Sequence, residues 1–177
     1  MKFRLVLTFA LSCSCLGGCK SKIAMDYNNM ILKNQQELNK CIDETEPNLK
    51  NYFASYEYDS IASLSARMEA KIDSIVAAIK KTPAAKVQQG ENFKKAALSY
   101  FGFMKSIYTS YRNYGLQTTP EGRQFQLQVM STMTNQEDKA IADMQKAQKI
   151  FAKDNGFKIQ SEKKRESKSL TANAPGQ

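Results

Sequence analysis

Histidine is absent from all 177 residues. That removes histidine general bases, Ser-His and Cys-His nucleophilic pairs, the Glu-x-x-His ligands of di-iron bundles and the Met/His ligation of haem bundles. No GxGxxG, Walker loop or CxxC occurs, so glycine cradles for phosphate and dithiol redox motifs are missing as well. No run of alternating β-branched residues is bounded by hairpin signals, which leaves an antiparallel sheet without strands to build it. The apolar run Leu5 to Leu11 is too short to span a bilayer as a stable helix.

What is present is ordinary for a globular chain, with 42% hydrophobic and 24% charged residues. A chain of this length suits one domain. The net charge of +9 hints at an anionic partner, but much of it sits at the ends. Lys2 and Arg4 open the chain, and Lys158, Lys163, Lys164, Arg165 and Lys168 lie in its last twenty residues against Glu162 and Glu166. Between them 19 basic and 15 acidic residues alternate, which reads as a mixed, solvated surface. A nucleic-acid reader concentrates Lys and Arg on one face, so no nucleic-acid partner is expected.

The first nineteen residues, MKFRLVLTFALSCSCLGGC, place a basic flank before the apolar run and small residues after it, the pattern of a secretory signal. Leu16-Gly17-Gly18-Cys19 resembles the lipobox of bacterial lipoprotein precursors: an aliphatic residue, two small residues, then cysteine. The resemblance implies cleavage between Gly18 and Cys19, a diacylglyceryl group on the Cys19 thiol, and acylation of the freed amine, as with palmitate. Cys13 and Cys15 would leave with the signal and Cys41 would remain alone, with no second thiol for a disulfide or a cysteine metal cluster. Two or three acyl chains make anchoring to the lipid bilayer effectively permanent. Lys20 after the cysteine, rather than Asp, implies the outer membrane. Lys20-Ser21-Lys22 lacks the acidic patch that marks surface export in some bacterial groups, which favours a periplasm-facing orientation.

Four segments of the remainder have helical periodicity. In the third, Phe93, Ala97, Tyr100, Met104, Ile107, Tyr111 and Tyr114 recur at steps of four and three, a heptad stripe of the coiled-coil kind. Phe101, Phe103 and Tyr108 widen its apolar face, so this helix is expected to be central. The second segment carries Ile61, Leu64, Met68, Ile72, Ile75 and Ile79, with Asp59 or Ser60 as cap and an end before Thr82-Pro83. The fourth starts with Thr119 as cap and Pro120 in the first turn. Its stripe is Phe125 or Gln126, then Val129, Met133, Gln136, Ala140, Met144, Ala147 and Phe151, and Asn155-Gly156-Phe157 closes it. The first segment shows Tyr27, Ile31, Leu38, Cys41 and Ile42 on one face. Pro47 is expected to end or kink it, with a further turn carrying Leu49, Tyr52 and Phe53.

The expected fold class is all-α, an antiparallel up-down-up-down four-helix bundle over residues 26–157. It follows a signal peptide (1–18) and a lipidated tether (19–25), and a disordered basic tail (158–177) comes after it.

Few groupings carry chemistry. Tyr100, Tyr108, Tyr111 and Gln136 are candidates to line a ligand pocket between helices, with plain core packing the competing reading. Asp43, Glu44 and Glu46 offer oxygen ligands for a hard cation but read better as a solvated helix end, so no metal site and no cofactor is expected. Arg112 and Arg123 flank the turn between the last two helices, where they could hold an anion. No paired carboxylates fall on one inward face, so no catalytic residue is assigned and enzyme activity is not expected. The mature part resembles small helical-bundle envelope lipoproteins. That resemblance implies a non-enzymatic interaction or structural module whose partners are an envelope protein, lipopolysaccharide or peptidoglycan. The alternative is a periplasmic binding module for a small apolar or aromatic ligand.

Overall fold

The computed structural model describes residues 19–159. The regular elements among them are α1 (Cys19–Ala54), α2 (Tyr58–Lys81), α3 (Gly90–Leu116) and α4 (Pro120–Asp154). Short connections set consecutive helices antiparallel. Ring contacts fix the rest: Tyr27, Phe93 and Phe151 meet at one end of the molecule, and Phe53, Tyr111 and Tyr114 at the other. α1 and α3 therefore run one way, α2 and α4 the other, and the chain is the expected up-down-up-down bundle. The expected signal peptide (1–18) and residues 160–177 of the expected tail lie outside the described residues.

α3 is the central helix, packing most extensively along α2 and next along α4. Each residue of its predicted stripe is buried, as is each of the six apolar positions predicted for α2. Full burial of one such Ile, Leu or Phe contributes about 1.5–3 kcal/mol, so the α2–α3 seam is the main source of cohesion. Gly115 lets the two backbones close at one end. A Cβ there would lie 2.5 Å from the Tyr58 carbonyl oxygen and 2.8 Å from the Ala62 nitrogen.

α4 ends as its sequence predicts. The Thr119 hydroxyl accepts from the Gly122 amide at 3.1 Å, and Pro120 occupies the first turn. At the other end Gly156 turns left-handed at φ 71°. Phe157 N–H donates to the Ala152 carbonyl and Gly156 N–H to that of Lys153, which is the Schellman pattern. The Phe157 ring then returns onto Phe151, 5.8 Å between centroids.

Of the two outcomes expected at Pro47, the helix does not end there: α1 runs through it to Ala54 and carries the expected further turn with Leu49, Tyr52 and Phe53. Pro47 and Asp43 are both exposed, so the Asp43 carbonyl, deprived of its usual donor, is on the solvent side. Residues 19–25, expected as a tether, form the first turns of α1, and Ala24 is fully buried. α2 begins one turn earlier than predicted: Glu57, not Asp59 or Ser60, is its N-cap residue and makes no side-chain cap bond. Its carboxylate instead accepts from Ser55 and Ser60. The chain reaches it through Tyr56 at φ 58°.

The largest departure is in α4. From Glu121 to Asp143 no residue is buried; Gln136 is exposed and Phe125 is 60% exposed. The inward positions run through Met130, Met133, Glu137, Ile141, Met144, Gln148 and Phe151, one residue off the predicted stripe in the middle of the helix. The polar seam residue is thus Gln148, whose Nε2 donates to Asn28 Oδ1 of α1 at 2.9 Å with both side chains buried. α1 and α4 otherwise meet sparsely, so this bond sets their register.

Candidate functional site

Tyr100, Tyr108 and Tyr111 project from α3 toward the space between α1 and α4, and all three are almost fully buried. Burial pushes the Tyr100 hydroxyl up to about 12, against a hydrogen bond from Gln35 of α1 that lowers it. Burial also raises Tyr108 and Tyr111 well above the ordinary phenol value, with the Glu46 carboxylate adding to both. These phenols stay protonated across the physiological range and act as hydrogen-bonding rings rather than bases.

Gln136 does not join them. Its neighbour Glu137 does, lining a cavity with Ile107, Tyr111, Met130, Met133 and Thr134. Across from it Glu46 of α1 is half-buried, while Asp43 and Glu44 face solvent, so the acidic run near Pro47 is split by the helix turn. Burial pushes Glu137 up to about 7, with Asp138 adding to it. Burial likewise raises Glu46 to about 7, with Glu137 and Asp43 contributing. The sequence reading found no carboxylates sharing an inward face; the structure brings two together over the tyrosines. Groups poised near neutrality are suited to proton exchange. The cavity beside them is about 10 Å³, room for about one water. Small-molecule sites are about 300–1,000 Å³.

The two arginines predicted near the α3–α4 turn are already engaged. Arg112 Nη1 is 3.1 Å from Glu69 Oε2, and the Arg123 guanidinium lies 3.8 Å above the Tyr58 ring. Glu69, which the sequence reading missed, is buried between α2 and α3 and also accepts a hydrogen bond from Thr109. It sits beside Met68 on the apolar face of α2, and only the facing Arg112 and Thr109 make its burial tolerable. Cys41 is half-buried against the core and is a free thiol. Among the described residues no group of three or more acidic or cysteine side chains could hold a metal ion, and no helix is long and apolar enough to cross a membrane.

The fold and this seam define an all-α four-helix bundle with a closed, tyrosine-rich interior. No protein-family model matches the chain, and neither the curated proteins nor the solved structures compared with it yield a match.

Proposed function

We propose that the chain is a lipid-anchored bacterial envelope protein, non-enzymatic, that acts as an interaction or structural module at the outer membrane. The observation that carries this reading is Leu16-Gly17-Gly18-Cys19 directly after a basic-flanked apolar run. Cys19 is the lipidation site, Gly18 and Cys19 flank the signal-peptidase cut, and the helices supply faces for an envelope partner. The tyrosine seam supports this reading better than the ligand-binding alternative, because its rings pack on one another and on α1 around a space for about one water.

Metabolic labelling with an alkyne fatty acid tests the anchor. The wild-type chain takes up label and Cys19→Ser does not; equal labelling of the two removes the reading.

A further inference from the structure

Acidic and basic residues that alternate along the sequence are sorted in space. The end of the bundle where α1 starts collects residues 19–29, 76–96 and 148–159, and these hold ten lysines against three acids, Asp26, Glu91 and Asp154. α1 brings Lys20 and Lys22, the end of α2 Lys80 and Lys81, and the following connection Lys86. The last turns of α4 add Lys149 and Lys153. All seven are exposed. The opposite end, residues 46–69 and 104–127, holds five acids and five cations, and there Arg112 pairs with Glu69 while Arg123 covers Tyr58.

Helix stabilisation accounts for part of this, since Lys80, Lys81 and Lys153 stand at helix C-termini where the dipole favours cations. It does not account for Lys20 and Lys22 of α1, which stand far from that helix's C-terminus at Ala54. Ile23, next to Lys22 in the chain, is 50% exposed. Residues of α1, the 82–89 connection and the end of α4 together border an open depression of about 750 Å³ in this face, where Lys20 and Lys86 stand with Glu91 and Asp154. The excess of exposed lysines over acids across this end, with an exposed aliphatic residue among them, matches a surface that presents phosphates above hydrocarbon.

We propose that this basic end is a docking face for an anionic phospholipid surface, so that the bundle stands end-on with α1 and α3 pointing away from the bilayer. Cys19, next to Lys20 in α1, is on that same face, and α4 ends there. The inference draws on the anchor reading for what ties Cys19 to the bilayer, whereas its charge argument stands on the lysines alone.

The test is footprinting with a membrane-impermeant amine acylating reagent on the full chain bound to vesicles. One set contains phosphatidylglycerol in phosphatidylcholine, and the other is phosphatidylcholine alone. At about 0.1 M salt, Lys80, Lys86 and Lys153 are expected to label roughly fivefold less on the anionic vesicles, with Lys40 and Lys50 unchanged. At about 1 M salt, where screening falls to about 3 Å, the difference is expected to vanish. The triple variant Lys80→Glu/Lys86→Glu/Lys153→Glu, checked for folding by circular dichroism, is expected to release the protection of Lys20 and Lys149. Equal labelling on both vesicle types, or equal protection of Lys40 and Lys50, overturns the proposal. So does protection of the same lysines by duplex DNA and not by vesicles. Fatty-acid labelling of Cys19 is read separately, so the anchor and the docking face fail independently.

Discussion

Single residues in this bundle are constrained by how near the next backbone comes. Gly115 and Gly102 lie on the same helix, yet a Cβ at Gly115 collides with α2 backbone, while one at Gly102 meets nothing within 4 Å. Gly115→Ala is therefore expected to destabilise by about 1–3 kcal/mol, and Gly102→Ala to stabilise by up to about 1 kcal/mol through helix propensity. Urea melts of the two variants check this, and similar shifts for both would contradict the close approach of α2 and α3. Glu69 is constrained differently, by partners. Glu69→Ala leaves Arg112 without its carboxylate, while Thr109 keeps the Lys105 carbonyl as acceptor, and about 1–3 kcal/mol of lost stability is expected. Neither position announces itself in the sequence. A glycine near a helix end and a glutamate among apolar neighbours both read as exposed until the facing helix is known.

At the scale of elements, legibility followed amphipathicity. α2 and α3 bury broad, nearly pure apolar stripes, and their buried positions were readable from periodicity alone. α4 carries a mixed stripe, and there the heptad spacing put Gln136 in the seam. In the structure Glu137 points inward instead, its carboxyl raised by burial to about 7. Ala140 and Ile141 follow the same one-residue shift.

The consequence is a pH dependence located between α1 and α4. Glu46 and Glu137 have folded-state values raised to about 7, above the ordinary 4.5, so the folded state holds protons that the unfolded chain has released. Their stabilising contribution is complete below about 4.5 and is lost as pH rises through about 7. The double variant Glu46→Gln/Glu137→Gln is expected to raise the melting temperature at pH 8 and to change it much less at pH 5. A pH-independent difference would show that the carboxyls are ionised in the fold. The Asn28–Gln148 bond makes a separate claim on the same helix pair. Asn28→Leu alone leaves the Gln148 amide buried without its acceptor and is expected to cost about 1–3 kcal/mol. Asn28→Leu/Gln148→Leu is expected to recover most of that loss, while hydrogen exchange along α1 and α4 speeds up as their register loosens.

The whole molecule was legible as a bundle but not as a charged object. Reading along the chain, the lysines of residues 80–95 and 146–158 are interleaved with enough acids elsewhere to look balanced. Folding antiparallel helices side by side brings the ends of α2 and α4 next to the start of α1, and the balance becomes a gradient from one end to the other. The core begins at Ala24, beyond the proposed lipidation site, so Cys19→Ser is expected to leave the thermal unfolding of the bundle within about 0.5 kcal/mol of the wild type. A larger change would assign Cys19 a packing role. The helical start of α1 also fixes a distance. The buried Ala24 is only five positions, about 7.5 Å of helix, beyond Cys19, and the 35 residues of α4 extend about 52 Å. Under the proposed anchor at Cys19 the bundle would have no slack stalk with which to search a volume. It would stand as a short post, and a partner that meets its far end would have to come within about 60 Å of the bilayer to do so.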